Sequence, residues 1–216
     1  MMLERIQFIT SATAKQNHFD AARKACEAGV KWIQYRNKNP YSKTVLDEAI
    51  KLKKICKEYK VTLIINDNPS LANEVQADGV HLGKEDGSVQ AARNFLKKDF
   101  LIGASCHSVD DIIKAQQAGA NYVGLGPFRF TQTKTNLNDF LGKTGFKKIM
   151  KEYSDENLTI PVYAIGGVKA DDVEFFSSIG IYGVAVSSAI TQNDDWCEAV
   201  KSLQEKFKTE KIIENG

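Results

Sequence analysis

Residues 61–86 read VTLIINDNPSLANEVQADGVHLGKED and carry the pattern that decides the fold. Two short runs rich in apolar and β-branched residues, TLIIND (62–67) and GVHLG (79–83), are separated by a short connection. Neither run shows the strict alternation of a strand with one face in water, so both read as strands buried on both faces. The stretch therefore predicts two neighbouring strands of a parallel sheet.

The same unit of strand and helix recurs along the whole chain. Eight units in 216 residues leave about 27 residues for each. An open doubly wound sheet would use fewer strands and carry a glycine fingerprint after its first strand, where Thr10, Ser11 and Ala12 stand instead. Eight regular units favour an α/β fold with a single (β/α)8 TIM barrel over residues 1–216. The strand candidates are IQFIT (6–10), WIQYR (32–36), TLIIND (62–67), GVHLG (79–83), FLIGASC (100–106), YVGLG (122–126), PVYAIGG (161–167) and YGVAVS (182–187).

One predicted helix covers SKTVLDEAIKLKKICKEYK (42–60). Its apolar periodicity places Leu46, Ile50, Ile55 and Tyr59 roughly on one face, which we expect to pack on the sheet. The lysines of the same helix then fall on the face in water, which is the ordinary interpretation of such a run.

Composition excludes several classes of protein. The chain has 29 Lys and Arg against 27 Asp and Glu, so its net charge of +2 does not favour nucleic-acid or membrane binding. The first residues, MMLERIQFIT, lack the apolar core of a signal peptide, and we expect a cytoplasmic protein. The four cysteines form no C-x-x-C pair, which argues for reduced thiols and against zinc or a disulfide framework.

In a barrel of this kind, functional side chains lie at the carboxyl ends of the strands. Arg36 and Lys38 alternate with other residues after the second strand, so both should point to the same side, and Lys134 comes from a long polar segment, 127–144. Three cations at one mouth would suit a polyanion such as diphosphate, although surface solubility is the commoner reason for any single lysine. The segment 127–144 is long for a connection after a strand, and we expect a mobile active-site loop.

Two carboxylates, Asp67 and Asp86, follow neighbouring strands, so they can converge. Near cations, such a pair suits Mg²⁺ better than acid–base chemistry, because nearby cations lower a carboxyl pKa. Both residues could instead be caps or turn residues.

After the last two strands, Gly166 and Gly167 would let backbone amides approach a phosphate, and Ser187 or Ser188 could donate a hydrogen bond to it. A glycine pair also serves a plain tight turn. Two anion sites at one mouth indicate the joining of two phosphorylated substrates with loss of diphosphate.

At these residues the chain resembles the thiamine phosphate synthase family. The resemblance runs from about residue 6 to about residue 205. It implies a (β/α)8 barrel that joins hydroxymethylpyrimidine diphosphate to hydroxyethylthiazole phosphate, giving thiamine phosphate and diphosphate. Its motifs are QYRNK (34–38), INDN (65–68), ADGVHLGKED (77–86), GASCHS (103–108), NYVGLGPF (121–128), TQTK (131–134), IPVYAIGG (160–167) and GVAVSSAI (183–190).

The resemblance also implies residue roles. Mg²⁺ would be held by Asp67 and Asp86, and Ser105 and Lys134 would act in catalysis. Diphosphate would be bound by Arg36, Lys38, Asn66 and Lys134, and the pyrimidine by Gln34 and Ser105. The thiazole phosphate would be bound by Thr131, Thr133, Gly166, Gly167 and Ser188. The family mechanism is dissociative, so it asks for positioning and charge stabilisation and needs no nucleophile. The partners are then small phosphorylated molecules, and a homodimer is compatible with the low net charge.

The chain departs from the family pattern at two positions. Asn37 replaces the usual Glu of the second-strand motif, which predicts the loss of a contact beside the diphosphate site. Phe130 replaces the usual Pro before the loop threonines.

Two alternative functions are a thiazole tautomerase-like enzyme and a non-catalytic phosphate-binding regulator of the same fold. Pro127, where a tautomerase would carry a histidine, and the paired aspartates favour the synthase. Of the histidines, His81 reads as a packed strand residue, whereas His107 could be structural or functional.

Overall fold

The computed structural model describes residues 3–12, 16–130 and 140–208. Within them, eight parallel strands form a closed barrel in chain order, with β1 paired to both β2 and β8. This confirms the predicted (β/α)8 architecture. The strands are β1 (Ile6–Ile9), β2 (Trp32–Tyr35), β3 (Thr62–Asn66), β4 (Gly79–Leu82), β5 (Leu101–Cys106), β6 (Tyr122–Leu125), β7 (Val162–Ile165) and β8 (Gly183–Val186).

Helices surround the barrel, and many of them begin at a residue whose side chain accepts a hydrogen bond from a backbone amide of the first turn. Asn68 is such a cap, since its side chain accepts from the Leu71 amide. The described helices are α1 (His18–Glu27), α2 (Lys43–Glu58), α3 (Pro69–Glu74), α4 (Val89–Phe95), α5 (Val109–Gln117), α6 (Gly142–Asp155), α7 (Val173–Ser178), α8 (Ser188–Thr191) and α9 (Trp196–Lys208). None of the helices in the described ranges is long and apolar enough to cross a membrane.

The face through which helix α2 packs matches the predicted one only in part. Leu46 and Ile55 pack against the core as expected, but Ile50 and Tyr59 are 50% and 38% exposed. The buried stripe instead includes Ala49 and Leu52. Small residues such as Ala49 let a helix pack closely on a sheet. A search for periodic large apolar side chains does not count them, so it misses part of the buried face.

The barrel floor is an aromatic cluster separate from the main core between strands and helices. Trp32, Tyr122 and Tyr163 meet edge to face there, with ring centroids 4.8 to 5.6 Å apart. Glycines on the paired strands leave them room. A Cβ on Gly103, which pairs with Tyr122, would overlap the tyrosine ring, and a Cβ on Gly183, which pairs with Tyr163, would lie 2.5 Å from that ring. The floor closes one end of the barrel, which leaves the carboxyl ends of the strands as the open mouth.

The four cysteines are free thiols, as predicted. The segment 127–144 was expected to be a loop, yet Gly142 to Thr144 form the first turn of α6. The first turn of α6 consists of glycine and polar residues, so apolar periodicity does not reveal where the helix begins. Residues 131–139 of the segment lie outside the described residues.

Candidate active site

Two carboxylates and a lysine meet at the mouth of the barrel. Asp67 follows β3, and its side chain contacts the Lys38 ammonium and lies close enough to the Asp86 carboxyl group for each to shift the pKa of the other. Burial opposes ionisation of Asp67, but the contacts with Lys38 and Asp86 and the charge of Arg36 outweigh it and hold its pKa below the ordinary value. For Asp86, burial and the neighbouring Asp67 both raise the pKa. The two carboxylates are therefore close enough for their charges to repel, and a cation between them would relieve that repulsion.

The sequence left open whether these two aspartates cap a helix or act in a turn, and the structure gives a different answer for each. Asn68, and not Asp67, caps α3. Asp67 takes a left-handed backbone conformation with φ of 65°, which turns its side chain away from the strand path. Asp86 does act in a turn, because its carboxylate accepts a hydrogen bond from the Gly83 amide at 3.1 Å.

The carboxylate pair fits a magnesium ion. Mg²⁺ in enzymes commonly takes one or two protein carboxylates and completes its shell with water and substrate phosphate oxygens. Gly83 leaves the space clear, since a Cβ there would overlap the Asp86 carboxylate and lie 3.7 Å from Asp67 Oδ1. No group of three or more His, Cys, Asp or Glu side chains suited to a metal occurs among the described residues, so the remaining ligands would have to be water or substrate.

The turn after β2 presents its residues on two sides, as the period-two pattern predicts. Tyr35 and Asn37 face α2, where the Tyr35 hydroxyl donates to Glu48 at 2.6 Å and Asn37 Nδ2 donates to Tyr35 Oη at 2.9 Å. Lys38 lies on the mouth side against Asp67, and Arg36 lies close enough to influence the Asp67 charge. Asn37 thus braces the turn that carries both cations, a role that the family comparison at this position did not predict.

Thr10 and His18 support the same turn, and sequence reasoning missed them. Thr10 Oγ1 accepts a hydrogen bond from the Arg36 amide at 3.1 Å and lies 2.9 Å from His18 Nδ1. Burial lowers the pKa of His18, so the ring is neutral near pH 7. A neutral ring can accept the Thr10 hydroxyl hydrogen, which leaves the Thr10 oxygen to hold the backbone beside Arg36. The position of Thr10 directly after the first strand was the signal in the sequence that could have identified it.

Asn66 ends β3 and is 9% exposed. Its Nδ2 atom is buried and has no hydrogen-bond partner among the described residues. A buried donor without a partner is costly unless a ligand or water satisfies it. The position beside Asp67 therefore favours a ligand oxygen, in agreement with the predicted diphosphate contact.

Ser105 on β5 lies half-buried, with Oγ 3.0 Å from His81 Nε2. Burial lowers the pKa of His81 to about 4, so the ring is neutral and packed, as the sequence predicted. Gln34 lies deeper than its predicted role implied. It is 1% exposed, and its Nε2 donates to Gln7 Oε1 at 2.9 Å, so Oε1 is the atom left for a substrate contact.

His107 makes contacts that link two neighbouring strand ends. Its Nδ1 contacts the carbonyl oxygen of Gly126 at the end of β6, and its backbone amide donates to Asp111 Oδ2 at 3.0 Å. With these contacts it ties the loop after β5 to the end of the next strand.

The turn after β7 holds the predicted phosphate-binding glycines in left-handed conformations, with φ of 89° at Gly166 and 70° at Gly167. A Cβ on Gly166 would lie 2.5 Å from the Pro127 Cβ, so the turn packs closely on the segment after β6. After β8, Ser187 Oγ lies 3.2 Å from Ser11 Oγ, and Ser188 is exposed at the start of α8. Of the predicted phosphate ligands, Thr131, Thr133 and Lys134 lie outside the described residues.

Arg129 joins these two segments and was not found from the sequence. Its guanidinium forms a bidentate ion pair with Asp172, with N–O distances of 2.5 and 2.6 Å, and Nη1 also donates to the Gly167 carbonyl oxygen at 2.9 Å. Its backbone amide donates to the Gly166 carbonyl oxygen at 2.9 Å. Phe130, which follows it, is 48% exposed.

Comparison with known proteins agrees with this geometry. A family model described as thiamine monophosphate synthase matches residues 6–190. Thiamine-phosphate synthase of Phocaeicola vulgatus is 42% identical over 190 residues, which cover 88% of this chain and 91% of the relative. The corresponding protein of Fusobacterium nucleatum is 38% identical over 192 residues, or 89% of this chain and 90% of the relative.

Solved structures show the same relationship. Thiamine phosphate pyrophosphorylase from Pyrococcus furiosus superimposes with a TM-score of 0.81 at 30% identity, over 95% of this chain and 96% of that one. A 3-hexulose-6-phosphate synthase, at 13% identity and a TM-score of 0.65 over 94% of this chain and 99% of that one, shares the fold alone. The family match and the relatives together show that this chain belongs to the thiamine monophosphate synthase family.

Proposed function

We propose that this protein is a thiamine phosphate synthase, a transferase that joins hydroxymethylpyrimidine diphosphate to hydroxyethylthiazole phosphate and releases diphosphate. The observation that carries the proposal is the junction of Asp67 with both Asp86 and Lys38 at the mouth of the barrel. Carboxylates for a metal and a cation for a phosphate meet there at one point. This combination suits a magnesium-bound diphosphate and few other ligands.

Asp67 and Asp86 would hold Mg²⁺, which when bound would neutralise diphosphate charge and so help this leaving group to depart. Arg36, Lys38 and the unpartnered Asn66 amide would bind the diphosphate oxygens, with Lys134 completing the set. Each of these groups stabilises negative charge that increases as the bond to the pyrimidine methylene breaks.

The remaining residues would position the two reactants. Ser105 would donate to the pyrimidine substrate or its leaving group, and Gln34 would face the pyrimidine from below. The thiazole phosphate would be bound by Thr131, Thr133, Gly166, Gly167 and Ser187 or Ser188. In a dissociative substitution the pyrimidine methylene cation forms first and the thiazole nitrogen then attacks it. The protein need only hold the reactants in line and exclude water.

The experiment is coupled product formation by the purified protein. The protein is mixed with both phosphorylated precursors and Mg²⁺, and the formation of thiamine phosphate and diphosphate is measured. The measurement is repeated after EDTA is added and again after excess Mg²⁺ is restored. We expect equal amounts of both products, lost with EDTA and regained with Mg²⁺. Binding of the thiazole phosphate without product would contradict the proposal and favour the tautomerase-like or regulatory alternative. The cytoplasmic location and a homodimer stay predictions, which cell fractionation and light scattering would test.

A further inference from the structure

We propose that Tyr122 is a positioning residue that acts through His81 and makes Ser105 a hydrogen-bond donor to the substrate. This inference rests on the proposed function, because it takes Ser105 as a residue that contacts the pyrimidine diphosphate. It adds a residue on β6, at the barrel floor, that does not itself contact the substrate.

A continuous chain of hydrogen bonds crosses the barrel interior. Four successive contacts connect side chains from five different strands, and four of these five side chains are at most 3% exposed. Water therefore does not compete for the three bonds between fully buried side chains, and these bonds are stronger than their counterparts at a surface. The contacts are Gln34 Nε2 to Gln7 Oε1 at 2.9 Å, Gln7 Nε2 to Tyr122 Oη at 3.2 Å, Tyr122 Oη to His81 Nδ1 at 3.1 Å, and His81 Nε2 to Ser105 Oγ at 3.0 Å.

The chemistry of these groups gives the chain one direction. The Gln7 amide accepts from Gln34 through oxygen and donates to Tyr122 through nitrogen. The Tyr122 hydroxyl has one hydrogen, and His81 Nδ1 is the acceptor within reach. Because Nδ1 accepts the Tyr122 hydrogen, the ring hydrogen of His81 lies on Nε2, where it faces Ser105 Oγ.

The consequence falls on Ser105. Its oxygen accepts from His81, so its own hydrogen points away from the ring. A hydroxyl held in this way offers a hydrogen to an acceptor at the mouth, such as a diphosphate oxygen or a pyrimidine nitrogen. Without Tyr122, either His81 nitrogen could carry the hydrogen, and Ser105 could donate back to the ring instead of to the substrate.

The test is Tyr122→Phe, which removes one hydroxyl and keeps the ring. The matched control is Tyr163→Phe. The two tyrosines are equally buried, at 1% exposure, and their ring centroids lie 5.6 Å apart. The Tyr163 hydroxyl instead donates to the Glu4 carbonyl oxygen at 2.6 Å, outside the chain of bonds. Tyr122→Phe removes two buried hydrogen bonds and Tyr163→Phe removes one partly buried bond, so we expect the Tyr122 variant to melt at a somewhat lower temperature. Only Tyr122→Phe should lower kcat, by about three- to tenfold, with the KM for the thiazole phosphate unchanged.

A second pair of variants separates positioning from a general structural effect. If Tyr122 acts through Ser105, Tyr122→Phe should have no further effect on kcat when Ser105 is already replaced by Ala. Equal kcat losses in the Tyr122→Phe and Tyr163→Phe variants, or independent losses in the double variant, would overturn the inference.

The tautomer of His81 supplies a readout that needs no turnover. In ¹⁵N NMR of the imidazole rings, assigned with His81→Gln, the wild-type ring should carry its hydrogen on Nε2 and the Tyr122→Phe ring should show a changed tautomer ratio. A hydrogen on Nδ1 in the wild type would overturn the inference. Absence of product from the wild type, or full activity of Ser105→Ala, would instead count against the proposed function, and the NMR result would still decide the direction of the chain of bonds.

Discussion

Replacing Asp172 with Asn should loosen the turn proposed to bind the thiazole phosphate. Asp172 is 6% exposed and holds the Arg129 guanidinium with two short bonds, while Arg129 Nη1 also reaches the Gly167 carbonyl oxygen. The variant keeps the size of the side chain and removes its charge. Arg129 then loses the partner that fixes it between the segment after β6 and the glycine turn.

The magnitude follows from the burial of the two partners. Breaking a fully buried ion pair costs about 3–5 kcal/mol. Arg129 is 40% exposed, so water recovers part of its solvation, and Asn can still accept the hydrogen bond from the Lys169 amide that Asp172 accepts at 2.8 Å. We therefore expect a loss of about 1–2 kcal/mol, which corresponds to a fall of about 2–8 °C in Tm for a domain of this size.

The loss should depend on pH in a definite direction. Burial opposes ionisation of Asp172, but the bonds from Arg129 and the Lys169 amide outweigh it and hold its pKa below the ordinary value. A carboxylate with a lowered pKa contributes stability that is full above its unfolded pKa of about 4 and is lost as the pH falls through the folded value. The stability difference between wild type and variant should be constant near neutral pH and shrink below about pH 4.

The assay combines thermal unfolding at several pH values with steady-state kinetics. Asp171→Asn is the matched control, because that neighbouring side chain is 94% exposed and pairs only with Lys206 in the described residues. We expect a several-fold rise in the KM for the thiazole phosphate in Asp172→Asn and an unchanged KM for the pyrimidine diphosphate. Identical Tm and KM values in the two variants would refute the reasoning.

Three further variants test the metal pair, the glycine turn and the core. Asp67→Asn suits the left-handed backbone at that position and should lower Mg²⁺-dependent turnover by at least about a hundredfold; full turnover at ordinary Mg²⁺ concentrations would contradict the metal assignment. Gly166→Ala should raise the KM for the thiazole phosphate, because its Cβ would meet Pro127, whereas Gly29→Ala, with a φ of 92° and an open surrounding, should cost stability alone. Phe146→Ala, fully buried 5.4 Å from the Phe128 ring, should cost about 3–5 kcal/mol in denaturant unfolding; a loss under about 1 kcal/mol would contradict its place in the core.

The strands and their closure were predictable because each strand is a compact apolar run and the number of units fixes a barrel. The mouth residues in the turns after strands, Lys38, Asp67 and Asp86, were predictable by the same logic, since parallel strands end at one edge. These are properties of local sequence and chain order.

What the sequence did not show depends on partners distant along the chain. Arg129 gains its role from Asp172, and neither residue has a local pattern that points to the other. Gln34 looked like a mouth residue, but its side chain points into the interior toward Gln7. Periodicity also misjudged part of the buried face of α2, because Ala49 carries little apolar weight although it is fully buried.

The glycine and tyrosine pairs at the barrel floor have a consequence for how such sequences diverge. A Cβ on Gly103 would meet both the Tyr122 ring and His81 Nδ1. A Cβ on Gly183 would meet both the Tyr163 ring and the Arg5 carbonyl oxygen. A smaller residue in place of either tyrosine would relieve only one contact in each set, because the histidine and the backbone oxygen remain. Both positions should therefore stay glycine among relatives even where the aromatic residues around them change. Engineering that refills this floor should keep both glycines and Tyr122, and change Trp32 or Tyr163 instead.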